Sequence, residues 1–218
     1  MAEIDRRAAL RLIGGAPLAG FALGAATAET AHAHALTALA ASAKGTVYKP
    51  RFFTPHEWQT VRILVDLILP RDARSGSATD AGVPEFMDFV MTDPVEEARA
   101  REWRQTSMRG GLAWIDRECR ERFGQDFVSC TEVQRTQLLD QIAYHKDHDD
   151  DDVLDEYGRI VMRHGQAFFN SFRDLTASGF WSSKMGVDDL GYVGNRPSVW
   201  EGPPAEVLRK LGLEGGNA

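Results

Sequence analysis

Apolar residues recur along most of this chain at the three- and four-residue spacing of a helix face. The first clear run follows Thr54, where Pro55 suits the first helical turn and Glu57 completes a capping box with Thr54. Apolar side chains then share one face as far as Pro70. Alternation of apolar and polar residues never persists long enough to indicate a sheet. The sequence therefore predicts an all-α bundle of five or six helices.

Further helix signals divide the rest of the chain in the same way. Predicted helices begin near Pro84, at Asp93-Pro94, after a second capping box formed by Thr131 and Gln134, and near Asp152. Gly110-Gly111 is expected to bend or break the helix that contains it. A short helix is predicted from Pro203 to Leu213. The segment after Gly179 is rich in aromatic residues and glycine and has no helical period, which predicts an irregular C-terminal tail.

The charge balance restricts the class of partner. The 218 residues include 25 Lys and Arg against 32 Asp and Glu, a formal net charge of −7. No basic surplus exists to neutralise phosphates, which argues against a nucleic-acid-binding protein. Hydrophobic residues make up 43%, an ordinary globular share, so a disordered chain is excluded.

The first 35 residues have the character of an export signal. A basic head with Arg6-Arg7 precedes an uncharged stretch from Leu12 to Ala26. Small-x-small cleavage sequences follow at Ala26-Thr27-Ala28, Ala31-His32-Ala33 and Ala33-His34-Ala35. The head resembles a twin-arginine signal, whose route carries folded cargo. A membrane anchor, or a chance arginine pair on an amphipathic helix, is the alternative. We expect residues 1–35 to be the signal, 36–50 a flexible start and 51–218 one helical domain in the periplasm.

The two cysteines allow three interpretations. Export would place Cys119 and Cys130 outside the reducing cytoplasm, where a disulfide between them could form. Such a bridge would close a short loop and stabilise the fold by roughly 3 kcal/mol on the chain-entropy model. Two buried free thiols, or a bridge to a partner chain, fit the same positions.

One charged run is a candidate metal site. His145 and His148 stand among aspartates in residues 145–152, and imidazole and carboxylate are common ligands for divalent cations. The run lacks the glycine and the distant glutamate of a calcium loop, and a solvated loop that caps the next helix suits it as well. His164 fits a core histidine, and His56 fits an exposed first helical turn. No catalytic, cofactor-binding or metal-binding residue is assigned.

The aromatic side chains of the tail require cover. Either the tail folds back on the helices or it forms a docking surface, where Trp and Tyr are enriched. We expect Trp181 and Tyr192 to take part in contact with a partner.

Several short stretches follow the twin-arginine-like signal in a characteristic order. They are residues 52–57, Leu67-Ile68-Leu69-Pro70, Ala81-Gly82-Val83-Pro84-Glu85-Phe86, Phe168-Phe169, Gly179-Phe180-Trp181-Ser182-Ser183 and Leu190-Gly191-Tyr192. Taken together, these stretches resemble the gluconate 2-dehydrogenase subunit 3 family. The resemblance spans nearly the whole mature chain.

The resemblance implies an accessory subunit rather than an enzyme. Its partner would be a large flavoprotein of the glucose-methanol-choline type, which holds FAD and oxidises a sugar or alcohol. A cytochrome c subunit carrying haem c often completes such complexes, and the small subunit's signal would export the folded pair by the twin-arginine machinery. Two alternatives from other classes are an exported metal-dependent enzyme that uses His145, His148 and the neighbouring aspartates, and a free-standing periplasmic binding protein.

Overall fold

The computed structural model describes residues 25–93, 97–143, 163–191, 203 and 205–212. Regular structure in these residues is entirely helical, which confirms the all-α class. The helices are α1 (Ala25–Ala43), α2 (Pro55–Ile68), α3 (Val83–Thr92), α4 (Ala98–Phe123), α5 (Glu132–Ala143), α6 (Arg163–Trp181), α7 (Lys184–Leu190) and α8 (Ala205–Lys210). The described part thus contains eight helices where five or six were expected, and α1 and α7 account for the difference.

Both predicted capping boxes are present. The Glu57 backbone N–H donates to Thr54 Oγ1 at 3.3 Å, and the Thr54 N–H donates to Glu57 Oε2 at 2.8 Å. At the start of α5, the Gln134 N–H donates to Thr131 Oγ1 at 3.3 Å and the Thr131 N–H donates to Gln134 Oε1 at 2.9 Å. Each box pairs N–H groups that have no partner within the helix.

Of the bend or break expected at Gly110-Gly111, the break is wrong, because α4 continues through both residues. Gly111 leaves room for an aromatic ring of α6, because a Cβ atom there would lie 1.8 Å from Cδ2 of Phe168. The reciprocal contact occurs at Gly165 on α6, where a Cβ atom would lie 2.3 Å from the Trp114 ring of α4. Each helix therefore seats an aromatic ring over a glycine of the other.

Helix α3 lies at the centre of the packing. Nearly all of its residues are buried, and α1, α2, α4 and α6 pack against it. Its last carbonyl groups, which a helix leaves without internal donors, are met by side chains of α4. Arg104 donates to the Val90 carbonyl at 3.4 Å, and Gln105 donates to the Met91 carbonyl at 2.7 Å.

The segment before α2 is more ordered than the sequence suggested. Residues 36–43, expected to belong to a flexible start, are helical in α1, and α1 packs on α3. The predicted boundary at residue 35 therefore falls inside one helix. The domain limits themselves stay predictions.

The C-terminal tail also departs from expectation. Residues 184–190, predicted to be irregular, form the short helix α7. The short helix expected between Pro203 and Leu213 is confirmed as α8. Within the described residues, no helix combines the length and the apolar character needed to cross a membrane.

Candidate functional site

Two of the family-like stretches pack directly against each other. Phe86 on α3 and Phe180 on α6 are both fully buried, and Gly179 is the residue of α6 that faces α3 beside them. A Cβ atom on Gly179 would come within 2.9 Å of the Phe86 ring and 3.3 Å of Val83. Sequence segments about 95 residues apart by number thus form one close contact between α3 and α6.

The chain turns sharply from α6 into α7. Ser183 caps α7 by accepting a hydrogen bond from the Gly186 N–H at 2.9 Å. Gly186 itself has no room for a side chain, because a Cβ atom would lie 2.1 Å from the Phe180 carbonyl oxygen. Trp181, whose ring meets Phe180 edge-on with centroids 4.9 Å apart, is partly exposed at this corner.

Arg74 fastens α7 to the loop between α2 and α3. Its guanidinium donates to the Asp189 carbonyl and lies 3.5 Å from the buried Asp189 carboxylate. Met185 packs on the same loop, at Gly76. With its polar side held in this way, α7 exposes two apolar side chains to solvent: Val187 is 36% exposed and Leu190 is 44% exposed.

A buried carboxylate pins the segment that precedes α2. Asp88 on α3 is fully buried and accepts hydrogen bonds from the Tyr48 hydroxyl at 2.8 Å and from the N–H groups of Arg51 at 2.8 Å, Phe52 at 2.9 Å and Phe53 at 3.4 Å. Burial, followed by the neighbouring Asp88 charge, raises the pKa of the Tyr48 phenol. The arrangement keeps Asp88 paired and Tyr48 protonated, which suits a structural clip.

His56 and Asp116 form a second polar link. Nε2 of His56 lies 2.5 Å from Oδ2 of Asp116, and Oδ1 of Asp116 accepts the Phe127 N–H at 3.0 Å. His56, expected to be exposed, is therefore partly buried and joins α2 to α4. Both carboxylate oxygens of Asp116 are thus engaged in contacts that hold elements of the fold together.

Glu85 is the buried acid with the poorest pairing in this region. It is 4% exposed, and its Oε2 has no hydrogen-bond partner within the described part of the chain. Burial raises the pKa of the Glu85 carboxyl. Burial likewise lowers the pKa of His32, whose ring meets Phe86 edge-on with centroids 5.9 Å apart.

The cysteines lie side by side in the core. Cys119 and Cys130 are both buried free thiols in this structure. Burial, with a smaller effect from the adjacent Cys130 thiol, raises the pKa of Cys119 to about 12. A protonated, buried thiol is a poor nucleophile, so Cys119 is not suited to thiolate catalysis. Their pairing in the exported protein stays a prediction.

The other predicted site residues divide between the surface and the undescribed part of the chain. Trp181 lies at the α6–α7 corner. Residues outside the described part are Arg6, Arg7, His145, His148 and Tyr192, together with the side chain of His164. Among the described residues, no group of three or more His, Cys, Asp and Glu side chains could hold a metal ion.

Sequence reasoning missed the buried acids Glu85, Asp88 and Asp116. The only local signal was the presence of charge at helix positions whose neighbours are apolar. A charge on a buried helix face requires a partner, yet the sequence does not say from which distant segment that partner comes.

The described residues define a class: an all-α protein whose buried polar groups join its helices and whose α6–α7 corner presents apolar side chains. A family model described as gluconate 2-dehydrogenase subunit 3 matches residues 55–202, and the chain belongs to this family. The match runs from the start of α2 to beyond the end of α7. Comparisons with curated proteins and with solved structures gave no match. The family places the chain among the subunits of a multi-subunit dehydrogenase.

Proposed function

We propose that this chain is the non-catalytic small subunit of a periplasmic FAD-dependent dehydrogenase, which exports and stabilises the flavoprotein large subunit. The observation that carries the proposal is the family match over residues 55–202. The substrate class is a sugar or related alcohol, oxidised by the large subunit with FAD. A cytochrome c subunit is a further expected member of the complex.

The described geometry is compatible with an accessory role. Asp88 and Asp116 are occupied in joining helices, and the Cys119 thiol is held protonated. Contacts of this kind support the fold, as an accessory subunit requires. A rigid helical domain of this kind can stabilise a partner by binding only its native state, in proportion to affinity and concentration.

Export is assigned to the N-terminal arginine pair. FAD is inserted as the flavoprotein folds, so a complex that already holds FAD needs a route that carries folded cargo. A twin-arginine signal around Arg6 and Arg7 supplies that route. One signal on the small subunit would then serve both chains.

Contact with the large subunit is assigned to the α6–α7 corner. Trp181, Val187 and Leu190 present apolar surface there, and Tyr192 stands two positions after Leu190 in the sequence. Aromatic and aliphatic side chains at the centre of an interface supply much of its binding energy. Arg74 and Ser183 keep α7 in place before the partner arrives, which lowers the ordering cost of binding.

The test is a pull-down of C-terminally tagged protein from the periplasm of the native host, read by flavin absorbance and mass spectrometry. We expect a yellow complex that contains a large flavoprotein. The double variant Arg6→Lys/Arg7→Lys should remove both chains from the periplasm. Arg11→Lys, which changes an arginine of the same basic head outside the pair, is the matched control and should leave both chains exported.

The contrary outcomes separate the parts of the proposal. A colourless protein that is recovered alone at full yield would contradict the accessory-subunit role, and its metal content would then test the cluster at His145 and His148. A yellow complex whose export survives the double variant would retain the partner and contradict the twin-arginine route.

A further inference from the structure

Helix α1 runs through all three of the candidate cleavage sequences. Among its residues with described side chains, which begin at Ala28, the first buried one is Ala31. Ala31 is 0% exposed, Ala35 is 1% exposed and Ala38 is also buried, at the four- and three-residue spacing of one helix face. This face packs on α3. Its fit is close at Gly82, the residue before α3, where a Cβ atom would lie 3.3 Å from Cβ of Ala35 and 3.0 Å from Cδ1 of Leu39.

Two histidines of the same stretch are also built into the domain. The His32 ring meets Phe86 edge-on, and the His34 ring lies 5.2 Å from that of Phe89 by centroid. His34 Nε2 is 3.1 Å from the Tyr48 hydroxyl, which in turn donates to Asp88. From Ala31 onward, α1 therefore belongs to the folded domain, although the sequence alone assigned residues up to 35 to the signal.

We propose that the exported protein is cleaved after Ala28, at Ala26-Thr27-Ala28, and that the mature chain begins at Glu29. The inference rests on the proposed export by the twin-arginine route. Because that route delivers folded cargo, the domain is already packed when the signal is removed. The peptidase must then reach the small residues one and three positions before the cut, and they must lie in a stretch that the fold does not hold in place.

The fold protects the two later sequences, whereas Ala28, the residue at the cut in the first sequence, is partly exposed. Cleavage after Ala33 requires Ala31, and cleavage after Ala35 requires Ala35 itself, and both side chains are buried against the domain. Exposing either means peeling α1 from α3. Unwinding α1 only as far as Ala28, which is partly exposed, leaves every contact from Ala31 onward in place.

The test is the intact mass and N-terminal sequence of the tagged protein purified from the periplasm. We expect Glu29 as the first residue. A chain that begins at His34 or Leu36, or an uncut chain in the periplasm, would overturn the inference while leaving export established. A native chain found only uncut in the cytoplasm would contradict export and remove the inference with it.

Two matched variants test the choice of site. Ala28→Leu places a bulky residue at the proposed cut, and we expect the precursor to accumulate rather than to be cut at a later sequence. Ala33→Leu alters both later sequences at an exposed position of α1 and should be processed at Glu29 as before. Normal processing of Ala28→Leu with a block in Ala33→Leu would overturn the inference.

Discussion

Asp88 ties the segment before α2 to the centre of the fold through a single carboxylate. It accepts three consecutive backbone N–H groups, of Arg51, Phe52 and Phe53, together with the Tyr48 hydroxyl. Asp88→Ala would leave these donors without an acceptor, and a buried unpaired group costs about 1–3 kcal/mol. We expect the free energy of unfolding, measured by urea denaturation, to fall by about 3 kcal/mol or more.

Tyr48→Phe is the matched control for this clip. It removes only one of the four donors and keeps the aromatic ring over Trp58, 5.3 Å away by centroid. We expect a loss of about 1 kcal/mol. If Asp88→Ala cost no more than Tyr48→Phe, the backbone bonds to Asp88 would not be stabilising the fold as described.

Glu85 makes stability depend on pH in a defined direction. Burial raises the pKa of its carboxyl, so the folded state binds a proton more tightly than the unfolded chain does. Its contribution is therefore complete at low pH and is lost as pH rises from the ordinary carboxyl range through the raised value. We expect the free energy of unfolding of Glu85→Gln, measured relative to that of the native chain, to be larger at pH 7 than at pH 4.

An exposed glutamate in an equivalent helix position is the control. Glu132 lies in the first turn of α5 and is exposed, where a negative charge favours the helix by about 0.3–1 kcal/mol. Glu132→Gln should therefore lose stability slightly relative to the native chain as pH rises from 4 to 7, the opposite direction to Glu85→Gln. Stability curves for Glu85→Gln and the native chain that run parallel between pH 4 and pH 7 would contradict the prediction.

How far a residue's role can be predicted depends on how distant its partners are. Thr54 and Glu57 of the capping box are only three positions apart, so the pattern alone predicts it, and both bonds are present. Asp88 and its partners are 35 to 40 residues apart along the chain. The sequence gives that aspartate a charge and a helix position, but only the fold brings Tyr48 and its neighbours to it.

At the scale of the elements, α4 and α6 are joined by reciprocal aromatic-on-glycine contacts. A methyl group on Gly111 would lie 1.8 Å from Cδ2 and 2.2 Å from Cγ of Phe168, so the whole ring would have to move. Overpacking of this kind costs about 1–3 kcal/mol, which exceeds the gain of about 1 kcal/mol from replacing glycine in a helix. We expect Gly111→Ala to lower the midpoint of thermal unfolding.

The adjacent glycine gives an internal control of opposite sign. Gly110 is exposed in the same helix, and a Cβ atom there would meet nothing within 4 Å among the described residues. Gly110→Ala should raise the midpoint, because only the helix-propensity gain remains. A destabilised Gly110→Ala variant together with an unchanged Gly111→Ala variant would contradict the packing described here.

The same pair shows why helix continuity was mispredicted. Two consecutive glycines favour a bend by their intrinsic propensity. Glycine is needed at position 111 because the ring of Phe168, 57 residues later in the sequence, occupies the space of a side chain there. Helix α7 was missed for a related reason. Its seven residues are too few to show a helical period, and its stability comes from the Ser183 cap and from Arg74 of a distant loop.

At the scale of the whole molecule, the domain holds α7 in place and exposes the apolar side of that helix on its surface. Val187 and Leu190 are three residues apart on one helix, so they share a face. Trp181 is half-buried against Phe180, so its removal would damage the fold as well as any contact. Changes at Val187 and Leu190 therefore report on assembly more cleanly than changes at the aromatic residues.

Val187→Glu/Leu190→Glu should release the flavoprotein while leaving the small subunit folded. Each new carboxylate would be buried in an apolar contact without a partner, which costs several kcal/mol, and 1.4 kcal/mol corresponds to tenfold in affinity. We expect flavin absorbance per small subunit, in the periplasmic pull-down, to fall by more than about tenfold, with the thermal midpoint of the isolated subunit unchanged. Val133→Glu, at a 77% exposed position on α5, is the matched control and should retain the flavin. Loss of flavin in Val133→Glu, with retention in the double variant, would move the contact from the α6–α7 corner to the α5 side of the molecule.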